Sequence, residues 1–202
     1  MATTTTISQV GEFPLISSMV GDLTMGQAVT LGPGDDGAVF QVDGSAVVST
    51  DVLVEEVHFR RRWSTATDVG RKAVAVNVSD IEAMGAVPVA LVVGFSAPGD
   101  LPASWAREFM AGMTAESQKA GVSVVGGDTT GGPVVSIAVT VIGQTAGMAP
   151  VRRDGAVPGD EVAVIGQLGL AAAGLALLGR GFRSPRALSL IHISEPTRRY
   201  AI

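Results

Sequence analysis

Four times in its first 130 residues this chain ends or interrupts an apolar segment with an aspartate set beside Gly, Ser or Thr. Gly34-Asp35-Asp36 follows a turn, Ser49-Thr50-Asp51 follows the apolar residues 46–48, Asn77-Val78-Ser79-Asp80 lies inside a long apolar segment, and Gly126-Gly127-Asp128-Thr129-Thr130 follows residues 122–125. A carboxylate next to an apolar run is costly to bury unless it is paired, metal-bound or exposed. The fold must therefore bring these four positions to the surface or gather them around a cation. Each one alone reads as easily as a turn or strand end whose side chain satisfies loose backbone N–H groups. Together they offer oxygen donors only, the ligand type of hard cations such as Mg²⁺ and, through them, of phosphates.

Composition narrows the alternatives. With no cysteine, disulfides and thiolate metal sites are excluded, and two histidines are too few for a His-based zinc centre. A net charge of −5 with scattered basic residues gives no stripe for neutralising nucleic-acid phosphates, so no nucleic-acid partner is expected. Residues 1–10 have neither a basic region nor an apolar one of the secretory kind. The most apolar stretches, 86–95 (interrupted by Pro88) and 168–178, fall short of the ~20 residues that span a bilayer. The expectation is a cytoplasmic protein without a membrane partner. At 202 residues, 47% of them hydrophobic and 16% charged, the chain has material for one good core and part of a second.

In chain order, residues 12–20 predict a short helix with Pro14 near its start, and residues 31–37, with three Gly, one Pro and two Asp, a tight loop. Residues 39–42 and 46–49 around Asp43-Gly44 predict a hairpin, placing Asp51 at a strand terminus. Residues 65–84 alternate in part like a strand, but length and ends predict a helix, with Thr67 as cap, Asp68 in the first turn and Gly85 beyond the end. On that helix Asn77, Asp80 and Met84 share a face at i, i+3, i+7. A buried strand over 88–96 and a helix over 101–120 follow, the latter with Trp105, Phe109 and Met113 as a core stripe. A strand over 122–125 leads into a Gly-Gly-Asp-Thr-Thr loop, and 135–141 alternate as a further strand. The hairpin and two-faced strands argue α+β rather than a doubly wound sheet. Residues 149–159 read as a domain boundary, dividing 1–148 from 149–187, where a strand over 161–165 and a helix over 168–178 begin a second unit.

Taken in order and spacing, Gly-Asp-Asp at 34–36, Ser-Thr-Asp at 49–51 with His58, Asn-Val-Ser-Asp at 77–80 running to Met84-Gly85-Ala86, and Gly-Gly-Asp-Thr-Thr at 126–130 resemble the thiamine-monophosphate kinases over residues 11–187. That family lies in the AIR synthetase-related, PurM-like superfamily of ATP-using enzymes. The resemblance implies an N-terminal domain with a mixed or antiparallel sheet and helices on one face, pairing as a homodimer, followed by a C-terminal α/β domain of which this chain holds only the beginning. It further implies transfer of the γ-phosphoryl group of ATP to thiamine monophosphate, giving thiamine diphosphate with the help of several Mg²⁺ ions. Because the acceptor is already an ionised phosphate, no side chain is expected to act as a general base. By the resemblance Asp36, Asp51, Asp80 and Asp128 are metal ligands, with oxygens of Ser49 and Thr50 completing the shells and Asp35 in support. Gly127, Asp128 and Arg153 fall to ATP, and His58 to the thiamine phosphate.

Two other readings stand beside this one: a related PurM-like ATP-dependent synthetase acting on an amide, a formyl compound or selenide, and a non-catalytic metal- or nucleotide-binding dimerisation module. The spacing from Ser-Thr-Asp to His58 and the Asn-Val-Ser-Asp motif favour the thiamine branch. The family's further ATP and thiamine contacts lie beyond the matched residues, so the chain alone is expected to be inactive. Residues 188–198 resemble the in-frame translation of a transposase adapter used in sequencing libraries, and residues 188–202 are expected to be non-native, leaving His192 without a role.

Overall fold

The structure, a computed structural model, describes residues 5–164 and 168–182. Two short helices, α1 (Ile7–Val10) and α2 (Glu12–Val20), precede a two-stranded ribbon of β1 (Val29–Leu31) and β2 (Val39–Phe40). There follow β3 (Ala46–Val54), α3 (Ala66–Ala83), β4 (Val87–Ala97), α4 (Ala103–Ala120), β5 (Ser123–Gly131) and β6 (Ser136–Gln144), and after an irregular stretch α5 (Leu170–Gly179). The four long strands form one sheet in the order β3-β6-β4-β5, antiparallel except for the β4–β5 pair. This is the α+β architecture expected of the PurM-like N-terminal domain.

Helix α3 wins over the strand reading of its middle because both of its ends are defined. Thr65 caps it, its Oγ1 accepting the Asp68 N–H at 3.2 Å while the Asp68 carboxylate accepts the Thr65 N–H at 3.1 Å, and Gly85 (φ +69°) ends it. The cap is thus Thr65 rather than Thr67, whose hydroxyl donates instead to the Glu108 carbonyl of α4. Residues 73–79 are buried without a break, since α3 packs against both the sheet and α4. That two-sided burial is why the sequence there shows no clean helical face.

The two helices meet closely. A Cβ on Gly70 would come within 2.1 Å of the Phe109 carbonyl oxygen, and one on Gly112 within 2.2 Å of the Thr67 carbonyl oxygen. Together α3 and α4 cover one face of the sheet, and the core between them holds Val74, Val78, Ile81, Leu91, Phe95, Phe109, Met113, Ile137 and Val141. Trp105, Phe109 and Phe95 stack on one another at its edge, with Phe59 on the Trp105 ring. The β1–β2 ribbon covers part of the other face through Met25, Ala28, Val29, Ala38 and Phe40. On that same face Val48 (61% exposed) and Val52 (45% exposed) stand open.

Four local expectations are corrected. The Asp-Gly turn exists, with Gly44 at φ +76°, but it joins two sheets instead of closing a hairpin. β2 pairs with β1, and the turn is held against the end of β6 by the Asp43 N–H donating to the Gln144 side chain and the Ser45 N–H to Thr145. Asp51 consequently lies inside β3 rather than at its end, paired with Val139. Gly126 to Gly131 continue β5 alongside β4 instead of forming a loop. The expected strand over 161–165 is absent from its described part: residues 161–164 have no regular structure and Val162 is 96% exposed, there being no partner strand beside it among the described residues. Residue 165 and the tail 188–202 lie outside the described residues. Among the described residues no helix is long and apolar enough to cross a membrane.

Candidate functional site

Helix α3 and strand β3 are joined by a series of polar ties, and these decide where the motif residues sit. Asn77, fully buried, accepts the Asp51 N–H on its Oδ1 at 3.2 Å and donates its Nδ2 hydrogen to the Ala73 carbonyl at 2.8 Å. One turn on, Asp80 accepts a hydrogen bond from the Ser49 hydroxyl at 3.0 Å. Farther toward the start of the helix, Lys72 donates to the His58 carbonyl at 3.1 Å. Ser49 and Asp51, two apart on one strand, both face α3, so Ser49, Asp51 and Asp80 form one group of oxygen donors on a joint whose buried amide is satisfied at both ends.

Thr50 points the other way. Its hydroxyl donates to the Val139 carbonyl at 3.0 Å and meets the Thr140 hydroxyl at 3.3 Å, so its side chain is engaged within the sheet and its carbonyl is the oxygen left to offer.

A second group lies across the sheet. A cavity of about 500 Å³ is bounded by the Pro33–Ala38 loop, by Gly126, Gly127, Asp128 and Thr129 of β5, and by Phe13, Ile16 and Met19 of α2, with Phe95 and Phe109 as its apolar floor. Asp35 steadies the loop by accepting the Asp36 N–H at 2.9 Å. Asp36 and Asp128 thus line one cavity. Gly127 has a reason for its size inside the chain, because a Cβ there would stand 2.1 Å from the Val93 carbonyl oxygen. Its smallness is demanded by β4 whether or not a phosphate approaches.

The two groups do not merge within one chain. Asp51 shares a row with Val139, Val93 and Gly127, while Asp128 shares the next row with Gly94, Ala138 and Val52, and successive rows face opposite sides of the sheet. β3 and β5 are three strand spacings apart, roughly 14 Å, so one ion with oxygen ligands at ~2.1 Å cannot touch both carboxylates. Among the described residues no three of His, Cys, Asp and Glu gather closely enough to hold a metal ion. The donors nevertheless fit Mg²⁺ in kind: it is commonly held by one or two carboxylates, with phosphate oxygens and waters filling the rest of its shell.

His58 sits exposed in the turn after β3, its Nδ1 accepting the Val54 N–H at 3.0 Å. Arg153 lies in the irregular segment after β6, two residues beyond Val151, whose N–H is bound by the Met84 carbonyl at the end of α3. Sequence reasoning did not anticipate the strut role of Asn77, the Lys72 tie, or Glu55, which accepts the Val135 N–H and pairs with Arg61. The visible signal for the last was Glu55-Glu56 followed by Arg60-Arg61-Arg62.

The pattern of the family described as AIR synthase related protein, N-terminal domain, matches residues 34–145, which contain all the motif residues except Arg153. The thiamine-monophosphate kinase of Mycobacterium tuberculosis is 47% identical over 189 residues, covering 93% of this chain and 57% of that protein. Among solved structures, thiamine monophosphate kinase from Aquifex aeolicus superposes with a TM-score of 0.68 at 36% identity, over 76% of this chain and 52% of that one. AaThiL complexed with AMPPCP and TMP superposes with the same TM-score of 0.68 at 32% identity, over 99% of this chain and 62% of that one. The chain spans little more than half the length of these relatives. By sequence pattern the chain belongs to the AIR synthase related family, and by identity and superposition it is similar to thiamine-monophosphate kinases.

Proposed function

We propose that the complete protein containing this chain is a cytoplasmic, Mg²⁺-dependent kinase that transfers the γ-phosphoryl group of ATP to thiamine monophosphate, and that this chain supplies the acidic part of the site. The observation that carries the proposal is the α3–β3 joint, where the Asn77–Asp51 and Ser49–Asp80 hydrogen bonds hold Ser49, Asp51 and Asp80 as one donor group, in a chain 47% identical to a thiamine-monophosphate kinase. Ser49, Asp51, Asp80 and the Thr50 carbonyl would hold metal on one side, and Asp36 and Asp128, with Asp35 beside them, on the other. Held there, Mg²⁺ would offset the repulsion between two phosphorylated reactants, which is the main obstacle to this transfer. Gly127, Asp128 and Arg153 are assigned to ATP, and His58 to the phosphate of thiamine monophosphate. The open valines of the outer sheet face support pairing of two copies as a homodimer.

The test is incubation of the full-length protein with Mg²⁺, ATP and thiamine monophosphate, with mass-spectrometric detection of thiamine diphosphate. Stoichiometric appearance of thiamine diphosphate and ADP is expected. ATP hydrolysis that never labels thiamine monophosphate, yet becomes productive with an amide or formyl acceptor, would move the protein to the synthetase branch.

A further inference from the structure

We propose that Lys72 is a positioning residue for His58, fixing its imidazole with Nε2–H as the one donor left free for an anionic oxygen of a phosphorylated ligand; this rests on the function proposed above. The turn after β3 is wound around Val54, whose carbonyl accepts the Val57 N–H at 3.2 Å and the His58 N–H at 2.8 Å. The Val54 N–H donates in turn to His58 Nδ1 at 3.0 Å. A backbone N–H can only donate, so Nδ1 carries no proton and the proton of the neutral ring resides on Nε2. Among the described residues Nε2 has no hydrogen-bond partner, and His58 is exposed.

What remains is where the turn itself stands, and that is set from α3. The Lys72 ammonium donates to the His58 carbonyl at 3.1 Å, from the same helix that ties Asp51 through Asn77 and Ser49 through Asp80. The imidazole and the carboxylates are therefore referenced to one rigid element, which is what a site holding two ends of one ligand requires. Val54 lies three residues beyond Asp51 on β3, roughly 10 Å, a span within reach of a phosphorylated small molecule. The turn also contains Glu56 at φ +65°, a conformation unfavourable for a residue with a side chain and braced here by its pairs with Arg60 and Arg62. Those pairs brace the turn; among the described residues the Lys72 ammonium supplies its hydrogen bond to α3, beside the packing of Phe59 in the core.

Two readouts test the proposal. In long-range ¹H–¹⁵N spectra of the ¹⁵N-labelled chain above the imidazole titration, with His192 removed as His192→Gln for assignment, His58 is expected as the Nε2–H tautomer. Lys72→Met should release it to a mixture of tautomers, and Lys72→Arg should keep it. An Nδ1–H ring in the parent chain, or an unchanged tautomer in Lys72→Met, overturns the proposal. In the full-length enzyme Lys72→Met should raise KM for thiamine monophosphate about tenfold, the effect of ~1.4 kcal/mol of lost binding, with kcat within about twofold and recovery in Lys72→Arg. A fall in kcat at constant KM counts against it. If the full-length protein phosphorylates no thiamine monophosphate at all, the functional reading fails, and the spectra still decide the Lys72 tie by themselves.

Discussion

At the scale of single residues the arrangement of the motif carboxylates depends on side chains whose hydrogen bonds stay within the chain. Asn77 fills no donor role toward a metal, yet it satisfies the Asp51 N–H and the Ala73 carbonyl from a position closed to water. Replacing it by Ala removes both bonds and leaves a hole at a fully buried position, and we expect a loss of about 1–3 kcal/mol in stability, read from urea-unfolding midpoints. The carboxylates should behave in the opposite manner. Asp128 is exposed on an edge strand, so Asp128→Asn should leave the unfolding midpoint nearly unmoved while phosphoryl transfer by the full-length protein falls by about two orders of magnitude or more. Asp51→Asn should cut transfer comparably. Wild-type turnover of both variants across a Mg²⁺ titration would remove these residues from the site. The motif aspartates could be read from sequence because each stands beside Gly, Ser or Thr at a turn or against an apolar run. Asn77 was legible only as a residue sharing a helix face with Asp80, since the strand edge it serves is brought to it by tertiary structure.

At the scale of elements, what sequence revealed depended on whether a segment's partners were local. Helix α3 announced itself through its ends, although its two-sided burial erased the face that periodicity would detect. The β2–β3 hairpin was misread because an Asp-Gly turn specifies a reversal and says nothing of which strands pair. Here β1 captures β2, and β3 pairs with β6, some ninety residues away. Likewise Gly126 to Gly131 carry the composition of a loop yet run as strand, because β4 offers a parallel edge and Gly127 is the residue small enough to pass the Val93 carbonyl. The same argument yields a test of the helix pair. Gly70→Ala places a methyl 2.1 Å from the Phe109 carbonyl oxygen, so α3 and α4 must part, and we expect a loss of about 1–3 kcal/mol in thermal or urea unfolding. Gly126→Ala, where an added Cβ meets nothing within 4 Å, is the control and should cost well under half as much.

At the scale of the whole molecule, one face of the sheet is finished and the other is not. The helices seal the inner face, whereas Val48, Val52 and Val92 stand exposed beside Thr50 and Thr140 on the outer one. A few apolar side chains in a continuous sheet face are worth roughly 1.5–3 kcal/mol each when fully buried, enough in sum to favour pairing of two copies over exposure to water. The proposed homodimer therefore predicts that Val48→Asp combined with Val52→Asp shifts the chain to monomer in sedimentation velocity. Because neither side chain contributes to the sealed core, circular dichroism and the unfolding transition of the monomer should persist. Val139→Asp, on the sealed face, should instead unfold the chain. A double variant that sediments like the parent protein would show that copies do not meet through this face. Roughly 14 Å between Asp51 and Asp128 would then have to be bridged by the ligand and its metals within a single chain.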